Sequence, residues 1–233
     1  MLGPVYKLIY WTRFLKLQLI SVFFLLLTQG CQTPSLPSDV VTGPDYRITN
    51  KYSAGPKLPK YLRRVAVLPL TAREKDVASE SGLAVLESVL HSELAKTKKF
   101  EIVVIPRTQL NNMTGRPTWD FNDEMPEKFF DIIQERTGAD AVLFSQLSVY
   151  RPYKPINIGW NICLVDCKTR SVWWAVDEVF DSGNPEIINS ARRFYQRELN
   201  QQYPLAESIS ILDSPMRFGQ FTLNLTFSTL PDR

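Results

Sequence analysis

The chain has a single histidine, and nucleophilic catalysis of the serine-hydrolase type would need it as the general base. His91 follows Leu90 in a helical stretch and shares the polar side of that helix with Glu87 and Ser88. A solvated helix face does not hold a histidine between a nucleophile and an acid. No glycine-rich phosphate loop follows the first apolar strand either. We therefore expect a solvated histidine and no catalytic residue.

The sequence also contains few residues that could bind a metal ion or carry out thiol chemistry. Cys163 and Cys167 lie four residues apart, roughly 13 Å along one strand, whereas a disulfide needs Cα atoms within about 7 Å. We expect two small, half-buried hydrophobic side chains. The carboxylates of Asp120, Asp123 and Glu124 lack EF-hand spacing and are predicted to lie in a solvated loop. The sequence thus predicts no metal site and no cofactor.

The third cysteine, Cys31, ends the segment that contains the longest apolar run. From Leu17 to Leu27 only two polar residues interrupt that run, and Gly30 directly precedes the cysteine. The charges upstream are all positive: Lys7, Arg13 and Lys16. A charged start, an apolar segment and a small residue at the cut describe a secretory signal peptide. We predict a signal peptide over residues 1–30, cleaved between Gly30 and Cys31.

The segment Thr28-Gln29-Gly30-Cys31 resembles the bacterial lipobox, with Thr28 in place of the usual leucine. The resemblance implies a diacylglyceryl thioether on Cys31 and acylation of its amine with palmitate-type chains, which together give stable anchoring. In such lipoproteins an aspartate directly after the cysteine favours retention in the inner membrane. This chain has Gln32 at that position, so the resemblance implies the periplasmic face of the outer membrane. Plain secretion and an uncleaved anchor remain open, although the apolar run has about half of the roughly 20 residues that a span needs.

Composition supports this division of the chain. The precursor carries a formal charge of +3, and without residues 1–30 it has 24 basic and 24 acidic side chains. No nucleic-acid partner is expected of a neutral protein. Prolines and glycines dominate residues 31–60, which predicts an extended tether of up to roughly 90 Å at polyproline rise. Residues 61–230 then form a single α/β domain of ordinary size.

Hydrophobic patterns divide the domain into alternating elements. Strands are predicted over residues 65–70, 100–105, 141–150, 156–164, 172–180 and 221–227, and helices over 77–96, 126–137 and 184–199. The stretch 107–125 is predicted to be a long polar loop. The order is β-α-β-α-β-β-β-α-β, and its crossovers and hairpins predict a mixed sheet with helices in a three-layer arrangement.

Four segments of this pattern resemble a known family: 64–69 (RVAVLP), 100–110 with its F-x-V-V-x-R-x-x-L form, 137–143 (TGADAVL) and 164–173 (LVDCKTRSVW). They are similar to envelope lipoproteins related to the curli secretion channel and the penicillin-binding-protein activator. These share a domain with the N-terminal part of the Tol–Pal translocation protein. The resemblance covers residues 62–200 and implies a non-enzymatic envelope role. Arg170 stands where the family usually has a glycine in the hairpin turn. The predicted strands leave no additional hairpins that could form a membrane pore, so pore formation is not expected.

Aromatic residues are the candidates for an interaction surface. Trp119 and Phe121 lie in the long loop, while Trp173 and Trp174 are predicted to point to opposite faces of a strand. We interpret the chain as a lipid-anchored adaptor for cell-wall synthesis regulation or for secretion and assembly, one that binds an envelope protein or its own copies. An envelope hydrolase with an unrecognised site and a subunit of an oligomeric secretion complex are the alternatives.

Overall fold

A seven-stranded mixed sheet runs through the part of the chain that the computed structural model describes, namely residues 41, 43–199 and 208–233. The spatial order is β1-β7-β6-β5-β2-β4, with β3 beside β5. Strands β4, β2 and β5 are parallel, and β5, β6, β7 and β1 continue as antiparallel neighbours. The strands are β1 (Lys51–Ser53), β2 (Arg64–Val67), β3 (Thr71–Ala72), β4 (Glu101–Val104), β5 (Ala141–Arg151), β6 (Asn157–Asp166) and β7 (Val172–Asp181).

Helices cover both faces of this sheet, which confirms the predicted three-layer α/β class. They are α1 (Val77–Lys96), α2 (Arg107–Thr114), α3 (Phe129–Thr137), α4 (Pro185–Phe194) and α5 (Pro215–Phe227). Helices α1, α4 and α5 pack on one face, and α2 and α3 pack on the other. A π-helical turn (Tyr195–Leu199) and a 3₁₀ turn (Ser208–Asp213) lie between α4 and α5.

Two apolar cores result, one on each face of the sheet. Along β2, Val65 and Val67 enter the core under α1, α4 and α5, while Ala66 enters the core under α2 and α3. Alternate residues of a strand point to opposite faces, so an unbroken apolar run fits a strand that is buried on both. The first core contains Trp160, whose indole nitrogen donates to the Thr222 hydroxyl at 2.9 Å.

Local signals set several helix ends where the sequence predicts them. Asp76 caps α1 by accepting from the Ser79 amide at 2.8 Å, and Asn184 caps α4 ahead of Pro185. Helix α3 ends at Gly138, which has a φ of 66° in the left-handed region that favours glycine. Arg170 adopts the same region with a φ of 59°, so the turn keeps a glycine-like backbone.

The predicted final strand over residues 221–227 is wrong, because this segment is helical and belongs to α5. Ser214 caps the helix and Pro215 occupies its first turn. The threonines that gave the segment its polar alternation are buried: Thr222 donates to the Gly219 carbonyl and Thr226 to the Thr222 carbonyl. Because both hydroxyls are hydrogen-bonded within the helix, the two threonines can be buried. The alternation of polar and apolar residues in this segment therefore does not mark a solvent-exposed strand face.

Two further boundaries need correction. The predicted loop 107–125 begins with helix α2, which ends at Gly115 with a φ of 82°. The predicted tether 31–60 extends too far, because β1 pairs with β7 and both Ile48 and Leu58 are buried. The folded domain therefore begins before residue 61. The predicted signal peptide, its cleavage site at Gly30 and the lipid site at Cys31 lie outside the described residues.

Candidate functional site

The second face of the sheet is only partly covered. Helices α2 and α3 pack over β2, β5 and part of β6, where Cys163 and Val165 are buried, whereas β7 and β1 lie toward the open side of the sheet. A groove of about 560 Å³ runs over this part. We call it the sheet groove, and its main lining residues are Tyr52, Phe121, Cys163, Val172, Ala175 and Asp177.

Two exposed aromatic rings flank the sheet groove. Tyr52 on the edge strand β1 is 54% exposed and lies opposite Ala175. Phe121 is 41% exposed and makes an edge-to-face contact with Phe144 of β5, with ring centroids 6.0 Å apart. Strands β6 and β7 lie between the two rings and form a small-residue floor. Aromatic side chains of this kind dominate the energy of protein interfaces.

The polar residues of the groove can bind but are poorly suited to nucleophilic chemistry. Three side-chain amides, from Asn50, Asn122 and Asn161, and the carboxylate of Asp177 line it. Its one thiol belongs to Cys163, and burial raises the pKa of that thiol to about 12. A thiol needs a lowered pKa to act as a nucleophile at neutral pH. The groove therefore offers hydrogen bonds and apolar contact.

The neighbouring loop tryptophan is part of the core. Trp119 is 4% exposed and packs edge-to-face on Phe129, with ring centroids 5.3 Å apart. Its indole nitrogen donates to the Thr114 hydroxyl at 2.8 Å, and the Arg116 guanidinium lies over its ring. Of the two loop aromatics singled out by the sequence, only Phe121 presents its ring to solvent.

Trp173 and Trp174 are both buried, and the prediction that they point to opposite faces is wrong. Val165 pairs with Val172 while Leu164 pairs with Trp174, so Trp173 is the extra residue of a β-bulge. The bulge turns both indoles into the first core. A ring buried within its own chain is not available to a partner, which leaves Phe121 and, unforeseen, Tyr52.

A second concave region lies at the carboxyl ends of β2 and β4, where the following helices leave toward opposite faces of the sheet. Ligands of α/β sheets commonly bind at such a switch point. A cleft of about 530 Å³ occurs there, and an ion pair crosses it. Glu87 accepts from the Leu70 amide and from Arg107, at 2.9 and 2.7 Å, while Arg107 also donates to the Leu70 carbonyl. The pair thus ties α1 and α2 to the end of β2.

His91 lies one turn beyond this ion pair and is half-buried, so the expectation of a solvated histidine is wrong. Within the described residues its Nε2 atom is enclosed without a hydrogen-bond partner. Burial lowers the pKa of His91, and Arg107 adds to the effect while Glu87 opposes it. Because Glu87 is occupied by Arg107 and the Leu70 amide, the cleft does not assemble a base oriented by an acid.

Two of the three loop carboxylates, those of Asp120 and Asp123, have structural partners. Asp120 accepts from the Thr71 hydroxyl, and Asp123 pairs with Arg116 at 3.1 Å. Across the described ranges no group of three or more His, Cys, Asp or Glu side chains could hold a metal ion. Cys163 and Cys167 are both free and buried there.

The segment ahead of β1 is fastened to the domain, a feature that the proline content concealed. Arg193 of α4 pairs with Asp45 and donates to the carbonyls of residues 41 and 43. Glu178 of β7 accepts from the Tyr46 hydroxyl and from the amides of Thr49 and Asn50. We call residues 43–53 with these contacts the leader clasp. None of the described helices is both long and apolar enough to cross a membrane.

No family model matches the chain, and no curated protein does. Solved structures with a similar chain course include a PelC dodecamer from Paraburkholderia phytofirmans, with 14% identity, 79% of this chain and 96% of that chain covered, and a TM-score of 0.45. Lipoprotein GNA1162 from Neisseria meningitidis is 14% identical, with 58% of this chain and 98% of that chain covered and a TM-score of 0.38. The LpoB C-terminal domain from Salmonella enterica is 17% identical, with 55% of this chain and 87% of that chain covered and a TM-score of 0.36. Likenesses of this size assign neither a family nor a function.

Proposed function

We propose that this chain is a bacterial lipoprotein, anchored through lipid on Cys31 at the periplasmic face of the outer membrane, and that it is a non-enzymatic binding or assembly adaptor. It serves cell-wall synthesis regulation or secretion and assembly in the envelope. The observation that carries the binding role is the sheet groove with the exposed rings of Tyr52 and Phe121. The lipobox resemblance and the four family-like segments support the location.

The chemistry of the groove supports binding in preference to reaction. Its rings and small floor residues can pack on apolar side chains of a partner, and its amides can bond a partner's backbone. Its thiol has a pKa of about 12 and stays protonated at neutral pH. The Glu87–Arg107 pair of the other cleft is committed to holding Leu70. Each of these contacts serves recognition or structure.

The leader clasp limits how far the adaptor reaches from its anchor. Because Arg193 already holds the carbonyl of residue 41, only the residues between Cys31 and residue 41 can serve as a spacer. Roughly ten residues span at most about 35 Å when extended. We propose that the domain works close to the membrane surface, in place of the roughly 90 Å reach that a free 31–60 segment gives.

The binding role is tested by crosslinking in intact envelopes. A tagged chain is compared with Phe121→Ala and Tyr52→Ala, and with Tyr153→Ala as the control, because Tyr153 is 82% exposed and does not line the groove. We expect one discrete crosslinked species that weakens at least about tenfold in the two groove variants, as for an interface hot spot. A species unchanged by both groove variants contradicts the assignment of this surface.

A further inference from the structure

One wall of the sheet groove is built from the leader clasp. Asn50 and Tyr52 both line the groove, and both belong to the clasp. Tyr52 lies in β1, which pairs with β7, and the Asp177 amide donates to the Asn50 carbonyl at 3.1 Å. The opposite wall, which contains Phe121, comes from the loop between α2 and α3. The groove therefore has both of its exposed rings only while the clasp is closed.

Polar contacts at the protein surface are the main attachment of the clasp. Within it only Ile48 is buried, and all three residues of β1 are exposed. The bond that the Asn50 amide donates to Glu178 is exposed, and so is the Asp45 carboxylate that pairs with Arg193. A segment with few buried apolar contacts and solvent-exposed hydrogen bonds opens at a lower free energy than the core strands of the same domain.

The next fixed point along the chain is Leu58. Its amide donates to the Asp232 carbonyl at 2.7 Å, and its side chain is 4% exposed. Opening of the clasp therefore stops at about residue 57 and leaves the sheet from β2 onward intact. The spacer that follows Cys31 then has roughly 26 residues, which span at most about 90 Å when extended.

We propose that the leader clasp is a reversible strap that regulates the sheet groove. When the clasp is closed, the groove is complete and the domain lies close to its anchor. When it is open, the groove lacks Asn50 and Tyr52 and the domain reaches farther. A partner that contacts both walls binds only the closed state, and by linkage it also holds the clasp shut. The regulation rests on the proposed function, in which the sheet groove is the binding surface.

A redox-controlled chain can separate the two states in one polypeptide. Glu178→Ala with Arg193→Ala removes both side-chain anchors of the clasp. A Cβ atom on Gly43 would lie 2.9 Å from Cγ of Asn189, which brings the two Cβ atoms within disulfide range. Adding Gly43→Cys and Asn189→Cys to the double variant therefore gives a clasp that is closed when oxidised and open when reduced. The two free cysteines of the described residues are buried and do not compete.

Hydrogen exchange tests whether the clasp opens as one unit. The reporters are the amide of Asp177, bonded to the Asn50 carbonyl, and the amide of Ala54, bonded to the Trp173 carbonyl at 2.9 Å. Neither amide bonds a side chain that the variants remove. In the reduced chain we expect both to exchange at least about 100-fold faster than in the wild type, and oxidation should restore slow exchange. Wild-type rates at these two amides, with fast exchange only at Thr49, overturn the proposal.

Crosslinking in intact envelopes tests the effect on binding. We expect the oxidised chain to give the wild-type crosslinked species and the reduced chain to give at least about tenfold less of it. Gly43→Cys with Asn189→Cys in an otherwise wild-type chain is the matched control, and reduction should not change its species. Equal species in both redox states, still weakened by Phe121→Ala, overturn the regulation and leave the proposed function standing. Absence of any species that depends on Phe121 contradicts the proposed function, while the exchange rates still support or overturn the strap itself.

Discussion

The carboxylate of Glu178 is one of the two side-chain anchors of the leader clasp, and its removal should have a measurable local effect. Glu178 accepts from the Tyr46 hydroxyl at 2.7 Å and from the amides of Thr49 and Asn50 at 2.9 and 3.1 Å. Glu178→Ala removes these three bonds and a weak fourth one, from the Thr49 hydroxyl at 3.5 Å. Each is worth about 0.5–1.5 kcal/mol net, with the exposed ones at the low end, so the clasp should lose about 2 kcal/mol.

This loss should appear as local opening, since the core residues of the sheet are untouched. Hydrogen exchange reports such opening directly, and about 2 kcal/mol corresponds to roughly 25-fold faster exchange of the amides in residues 49–53. Trypsin should also cut faster after Arg47 and Lys51, which lie in the clasp. The midpoint of global unfolding should move little.

Asp177→Ala is the matched control, because Asp177 is the neighbouring exposed carboxylate of β7 and points into the sheet groove. Its side chain holds none of the clasp amides. If Glu178→Ala and Asp177→Ala give the same exchange rates and the same tryptic pattern over residues 46–53, the clasp is not held as described. The short spacer argued from it then fails as well.

Two further predictions concern buried or half-buried titratable side chains. The thiols of Cys163 and Cys167, whose pKa burial raises to about 12, should react with a thiol reagent only after unfolding in urea; fast reaction in the native chain contradicts their burial. Burial lowers the pKa of His91 in the folded chain below its ordinary value of 6.5. The unfolded chain therefore binds a proton at His91 more readily than the folded chain does. As a result, the free energy of unfolding should fall as the pH falls below 6.5. Urea midpoints at pH 7.5 and 5.5 should show this fall, and His91→Gln should remove it; an equal slope in the variant refutes the assignment.

Local sequence signals are sufficient for much of the sheet. The unbroken apolar run of β2 is sufficient to predict a strand that is buried on both faces of the sheet. Asp76, Asn184 and Gly138 mark helix ends through contacts within a few residues, and the structure has those contacts. Features whose causes are local in sequence are therefore predicted well.

The errors come from causes that are distant or hidden. Thr222 and Thr226 alternate with apolar residues like a strand, but their hydroxyls bond helix carbonyls in a buried helix. The bulge at Trp173 depends on the register with β6, which pattern alone does not give.

Only part of the candidate site can be predicted from the sequence. Phe121 is recognisable as an aromatic residue in a loop, whereas Tyr52 lies in a segment whose prolines indicate a tether. That segment is fastened by Arg193, which pairs with Asp45 across 148 residues of sequence. His91 lines a groove together with Glu87 and Arg107, which come from separate elements and pair with each other. Contacts over such separations leave no periodic signal.

The most direct test of the central claim is the chemical state of Cys31 in cells. Cells that express the full chain or Cys31→Ala are labelled with palmitate, and the chain is recovered from membrane and soluble fractions. We expect labelled, membrane-bound protein whose mass shows loss of residues 1–30, and an unlabelled Cys31→Ala chain. Equal palmitate labelling of the Cys31→Ala chain, or an unlabelled wild type released into the soluble fraction, contradicts the proposal of a lipid-anchored adaptor.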